Sequence, residues 1–308
     1  MTNAEEPVVV RALVKRYGAV VAVDHVDLTV HAGDVYGFLG PNGAGKTTSL
    51  RMLLGLVRPT AGTVRVFGHD PATDPATALR SVAGFVESPA FYPYLTGRAN
   101  LELVADYTAR DARGRIGEAL ETVDLADRAR DRVGGYSFGM RQRLGIAAAL
   151  VRKPRLLVLD EPTTGLDPAG MRDMRTLVRG LVEQGITVLL SSHLMDEVED
   201  LCNRVAIINH GRIIHEGALH ELLSEPAHYH LNTTDNAAAA ALATTLGIAV
   251  RGADPSGLSL SADRALIDQL TIRLGSDAIA IRGLAQSSTT LADRFFQLTE
   301  PSAAGAQR

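Results

Sequence analysis

The sequence predicts an α/β fold with a largely parallel sheet, followed by a smaller α+β region. Strand-like and helix-like segments alternate along the first two thirds of the chain, the pattern of a layered sheet whose parallel strands are joined by helices. A glycine-rich stretch at 40–48 lies between an apolar run and a segment of helical spacing. After about residue 216 the character changes, and the residue types that carry chemistry earlier in the chain no longer occur together.

In chain order, Val8–Val14 is apolar and β-branched and reads as a strand. Val20–Val30 alternates apolar and polar residues as a half-buried strand does. Val35–Leu39 is a short apolar strand, and Thr47–Leu56 has helical spacing with Leu50, Leu53 and Leu54 on one face. Asp70–Thr77, with Pro71 and Pro75, reads as loop, and Leu101–Leu125 as mostly helical. Then follow a helix at Met140–Val151, a buried strand at Leu156–Leu159, a helix at Ala169–Gln184 and a strand at Ile186–Leu190. A short helix at Met195–Cys202 and a strand at Val205–Asn209 close the alternation. Beyond the pieces Ala218–Ser224 and Glu225–Pro226, the expected order is strand His228–Asn232, helix Ala237–Leu246, a strand pair around Asp254–Gly257, helix Arg264–Leu274, strand Ala278–Ile281 and helix Leu291–Leu298. Pro301–Arg308 reads as a frayed tail.

The chain has 308 residues, 46 % hydrophobic and 21 % charged, which suits a globular protein. Its formal net charge of −4 gives no electrostatic reason to expect nucleic acid as a partner. One cysteine, Cys202, excludes an internal disulfide and points to a reducing compartment. The first residues do not read as a signal peptide, and no apolar run approaches the ~18 residues of a spanning helix, so any membrane role requires another chain. Lysine is rare, at positions 15, 46 and 153 only, which draws attention to Lys46.

Gly40-Pro41-Asn42-Gly43-Ala44-Gly45-Lys46-Thr47-Thr48 fits the phosphate-binding loop pattern in its required strand–helix setting. Glycines let the backbone turn tightly and aim N–H groups inward, and the following helix start favours an anion. Lys46 is expected to reach the β- and γ-phosphates of ATP, Thr47 to ligate Mg²⁺, and Thr48 to cap the α-phosphate. Leu156–Pro162 is an apolar strand ending in two acids, at the strand end where open α/β sheets bind ligands. Asp160 is the expected Mg²⁺ holder and Glu161 the general base toward water.

With these residues the chain resembles the ATP-binding cassette (ABC) family over roughly residues 7–217. Tyr136-Ser137-Phe138-Gly139-Met140 resembles the family's Leu-Ser-Gly-Gly-Gln signature, Gly165-Leu166-Asp167 the loop after the acidic strand, and His193 the switch histidine. The resemblance implies a P-loop NTPase cassette with a mostly parallel core sheet, an N-terminal antiparallel β region and a helical subdomain at about 88–152, with a small α+β domain at 218–300. It implies a head-to-tail pair of cassettes, expected here as a homodimer, in which Ser137 and Gly139 of one chain meet the γ-phosphate held by the other chain's Lys46. His193 would touch the γ-phosphate in its own half, and Asp167 would line the seam. Tyr17 stands where the family stacks a ring on adenine, though an aromatic there also fits a plain surface residue. The implied role is an ATPase subunit on the inner face of the cell membrane, cytoplasmic and peripheral, powering a separate permease. A soluble cassette acting on ribosomes or DNA, or a regulatory nucleotide-binding module, is the alternative.

Two departures stand out. Where most cassettes carry a glutamine after the Val82–Val86 strand, this chain has Glu87, expected to act in catalysis and as a Mg²⁺ ligand, adding a third acid near Asp160 and Glu161. The run from Glu87 through Phe91, Tyr92 and Tyr94, with Phe138 and Met140 in the signature, looks like the branch of peptide-antibiotic and lantibiotic resistance exporters. The three aromatics suit either the groove that receives the permease or local packing.

Overall fold

The computed structural model describes residues 6–109, 111–223, 228–254, 257–287 and 290–299. They form two compact units that divide between Leu219 and His220.

In the first unit, β1 (Val8–Tyr17) and β2 (Val20–Val30) pair antiparallel. Their turn passes through Gly18 at φ 57, a left-handed conformation that glycine adopts without a Cβ penalty. The buried strand β3 (Val35–Leu39) leads through the glycine-rich loop into α1 (Lys46–Leu53). Strand β4 (Ala61–Val66) pairs with β1 and completes a three-stranded antiparallel sheet, order β2-β1-β4. Then come α2 (Pro75–Ala78) and β5 (Val82–Phe85). A helical stretch follows, with α3 (Gly97–Asp106), α4 (Ile116–Thr122) and α5 (Phe138–Leu150). Next are β6 (Leu156–Asp160), α6 (Pro168–Glu183), β7 (Thr187–Ser192), α7 (Met195–Leu201), β8 (Arg204–Asn209) and β9 (Arg212–Ala218). The main sheet has the order β5-β6-β7-β3-β8-β9, parallel up to β8, with β9 antiparallel at the edge. Every residue of β3, β6 and β7 is buried, which explains why these strands read as continuous apolar runs. Register pairs Leu39 with Ser192 and Asp160 with Ser191, so the carboxyl ends of three central strands meet at one edge of the sheet.

Beyond α8 (Leu219–Leu223), the second unit is an antiparallel sheet with helices. Its elements are β10 (His228–Thr233), α9 (Asn236–Thr245), β11 (Ala249–Asp254), β12 (Gly257–Ser261), α10 (Arg264–Ser276), β13 (Ile281–Ser287) and α11 (Leu291–Thr299). The sheet order is β11-β12-β10-β13. Leu231, Leu258, Leu260, Leu270 and Leu274 form its apolar centre with Ala239 and Ala243 of α9.

One expectation needs refining and two need correction. The stretch 101–125 is mostly helical, as expected, but not continuous: α3 stops at Asp106, and a tight 3₁₀ turn at Ala112–Arg115 precedes α4. Tyr107 is 91 % exposed, so nothing apolar rewards continuing the helix, while Thr108 bonds back to the Val104 carbonyl and Asp106 pairs with Arg113. The loop expected at Asp70–Thr77 runs into a helical turn, because Asp74 caps it by accepting from Thr77 N–H and Pro75 occupies its first position. The strand expected at Ala278–Ile281 starts only at Ile281: Ala278 has φ 55, and Ala278 and Ile279 N–H groups close the end of α10. Glu225–Pro226 and the tail at Pro301–Arg308 lie outside the described residues.

Candidate nucleotide site

The loop after β3 wraps the lysine. Gly40 leaves no room for a side chain, since a Cβ there would sit 2.3 Å from the Ile208 carbonyl oxygen. Gly45, at φ 107, would drive a Cβ to 2.5 Å from the Ala22 carbonyl oxygen. Pro41, Asn42 and Gly43 are exposed, while Ala44 is buried. Lys46, only 4 % exposed, folds back so that Nζ donates to Gly40 O at 2.7 Å and Pro41 O at 3.2 Å. The same ammonium stands 3.3 Å from Glu161 Oε1. Thr47 and Thr48, half-buried, open α1, whose unsatisfied N–H groups face the loop.

Across the sheet edge, Asp160 is buried and its Oδ2 accepts from Thr47 Oγ1 at 3.0 Å and from the Glu87 N–H at 3.3 Å. Its other oxygen accepts from Ser191 Oγ. Glu161 leaves the strand at φ 49, a left-handed turn held by its N–H bonding to Ser191. That turn aims its carboxylate at three partners: Lys46, Thr164 Oγ1 at 3.0 Å and His193 Nδ1 at 3.0 Å. A carboxylate accepts, so His193 carries a hydrogen on Nδ1. Burial alone pushes the Glu161 carboxyl up, but the Thr164 hydrogen bond and the Lys46 and His193 charges together hold it below the usual glutamate range. Glu161 is therefore ionised at neutral pH, as a base toward water must be.

The signature residues sit beside this cleft. Ser137 caps α5 by accepting from Met140 N–H at 3.2 Å, and Asp167 caps α6 by accepting from Gly170 N–H at 2.7 Å. Ser137, Gly139, Leu166 and Asp167 line one cleft, while Thr47, Glu87, Gln142, Asp160 and Glu161 line another. Phe138 belongs to both and packs beside Gly165. The expected site residues thus fall into two groups. Lys46, Thr47, Asp160, Glu161 and His193 meet in one network, and Ser137, Gly139 and Asp167 form a neighbouring face. Tyr17 is 48 % exposed at the end of β1, with Lys15 Nζ 4.9 Å from its ring centre.

The ABC transporter family matches residues 23–164. A daunorubicin/doxorubicin resistance ATP-binding protein of Streptomyces peucetius, DrrA, is 41 % identical over 93 % of this chain and 90 % of its own length. The chain belongs to the ABC transporter ATP-binding family. Another relative, the bacitracin transport ATP-binding protein BcrA of Bacillus licheniformis, is 47 % identical over 66 % of this chain and 67 % of its own. Among solved structures, an ATP-binding subunit of an ABC transporter superposes with a TM-score of 0.62 at 26 % identity, covering 87 % of this chain and 99 % of its own. As a member of this family the chain is an ATPase whose hydrolysis powers transport, and such subunits pair and work with membrane permeases. Among the described residues no helix is long and apolar enough to cross a membrane.

For this ABC subunit, one expectation about charge is corrected. The Glu87 carboxylate does not crowd Asp160: it is turned to the Arg51 guanidinium, and only the Glu87 backbone N–H, from a left-handed turn at φ 65, reaches Asp160. Arg51 pairs with the third acid and offsets its charge beside Asp160 and Glu161. The site's donor set fits Mg²⁺, which takes hard oxygens, one or two from protein and the rest from phosphates and water. Thr47 Oγ1 and an Asp160 carboxylate oxygen lie 3.0 Å apart in the cleft.

Several partners were not found from the sequence: Arg51, Ser191 and Thr164. Consecutive serines ending an otherwise apolar run, Ser191-Ser192, are a signal that was available. Arg51 offered none, because its partner lies 36 residues away and meets it only through the fold.

Proposed function

We propose that this chain is the cytoplasmic ATPase subunit of an exporter, acting as a homodimer on a separate permease that expels a drug or peptide antibiotic. The observation that carries this reading is the identity with DrrA, 41 % over 93 % of the chain, which extends past the cassette into the second unit.

In this reading, Lys46 and the loop N–H groups hold the ATP phosphates. Thr47 and Asp160 are the groups that would hold Mg²⁺, which neutralises phosphate charge when bound. Glu161 takes the proton of the attacking water, and His193 keeps the Glu161 carboxylate in place and faces the γ-phosphate. Ser137 and Gly139, on their separate face, complete the site of the second copy, with Asp167 at the seam. Tyr17 stacks on adenine. Tyr92 and Tyr94, 54 % and 64 % exposed with ring centres 5.7 Å apart, anchor the permease.

The test is a tagged pull-down from detergent-solubilised membranes with ATP and the Glu161→Gln trap. A co-purifying multi-span protein is expected. A soluble dimer without one, or ribosomes, would leave the ATPase intact and overturn the transporter role.

A further inference from the structure

Glu197 is a buried carboxylate that the chemistry above does not use. It lies on α7, four residues past His193, and is only 1 % exposed. Its Oε2 accepts the Ser192 hydroxyl at 2.5 Å. Arg175 adds a positive charge from α6. Burial still dominates and raises the proton affinity of Glu197 against both. A group kept at that cost while making so few contacts, with Oε1 lacking a hydrogen-bond partner, calls for a reason.

Its bond to Ser192 supplies one. Ser192 immediately precedes His193. A hydroxyl has one hydrogen to give. Because Ser192 gives it to Glu197, its lone pairs are left for the Leu194 N–H, which donates at 3.0 Å. That bond spans His193 and closes a tight serine turn around it. One buried carboxylate therefore fastens the backbone that carries His193.

We propose that Glu197 is a positioning residue: by orienting Ser192, it sets the place from which His193 meets the Glu161 carboxylate. The inference rests on the reading of Glu161 and His193 as the hydrolytic pair. It predicts that an acceptor oxygen at 197 matters and that its charge does not, so glutamine should serve where alanine fails.

The test uses the full chain, with ATP hydrolysis and the ¹⁵N imidazole spectrum of His193, assigned with His193→Ala, as readouts. Glu197→Ala should lower kcat at least about tenfold, toward the ~100-fold that a small misplacement of a reacting group can cost, with KM for ATP near the parent value. It should also shift the His193 Nδ1 resonance. Glu197→Gln should restore both. Ser192→Ala, a smaller change suited to the case in which Glu197→Ala does not fold, should reproduce the kcat loss and the shift. An unmoved His193 resonance with parent kcat in Glu197→Ala or Ser192→Ala would overturn the proposal, as would equal loss in Glu197→Gln and Glu197→Ala. If His193→Ala itself hydrolyses ATP at the parent rate, the failure lies with the hydrolytic pair, and the proposal falls with it.

Discussion

The two sheets of this chain use burial differently. In the main sheet the carboxyl ends of β6 and β7 bury Asp160, Ser191 and Ser192, each 4 % exposed or less, and the chain leaves β5 and β6 through left-handed turns at Glu87 and Glu161. In the second unit the large buried side chains of β10 and β12 are Tyr229, Leu231, Leu258 and Leu260. Among the described residues, the buried polar side chains there are Thr233, bonded to Asn236, and Arg294, bonded to Leu222 O and Gln297. Buried polar atoms cost free energy unless paired, and strained turns persist only where surroundings enforce them. At this edge of the main sheet both features meet beside the glycine-rich loop.

The comparison can be broken most severely at Gly84, where β5 runs beside β6. An alanine Cβ there would sit 1.8 Å from the Val158 carbonyl oxygen, at a backbone φ of 148. Gly84→Ala should destabilise by about 3 kcal/mol or more, seen as a lowered denaturation midpoint, and should abolish nucleotide binding because β6 carries Asp160. Leu258→Ala tests the other side. Truncating a fully buried leucine should cost about 2–5 kcal/mol, yet the Kd for ATP should stay at the parent value. A large loss of ATP affinity would erase the contrast between the units.

Smaller changes sharpen it. Arg51 and Glu87 form a pair with side chains 37 % and 66 % exposed, so Arg51→Ala should move stability by about 1 kcal/mol or less. Glu87→Gln should leave the Mg²⁺ titration of hydrolysis close to the parent curve, while Arg51→Ala, which frees the carboxylate, should steepen it. The smallest expected effect is on acid stability. The Glu161 carboxyl is held lower in the folded chain than in the unfolded one, so its contribution is present above the unfolded value of about 4.3 and fades as pH falls through the folded one. Solvent screens part of it. Acid unfolding curves should therefore be slightly shallower in Glu161→Gln than in the parent.

Much of this was legible in the sequence, for physical reasons that differ by element. The bounds of β2 and β3 follow directly from period-2 alternation and a continuous apolar run. The glycine loop and the paired acids are local patterns, and local patterns survive without knowledge of the fold. Bonds between distant segments do not. The Ser191 clamp on Asp160 spans 31 residues, and the turning of Glu87 toward Arg51 could not be read from either neighbourhood. The break after Asp106 was missed because helical spacing continues past the point where the helix has anything left to bury.

Single-turnover ATP hydrolysis by the purified chain and its Glu161→Gln variant, with ATP affinity measured alongside, tests the central claim most directly. With Glu161 as the base, the Glu161→Gln rate should fall by about 10²–10⁴-fold, the usual share of a general base, with ATP bound as tightly as by the parent. Hydrolysis at the parent rate in Glu161→Gln would show that the Lys46–Glu161–His193 network is not where the water is activated.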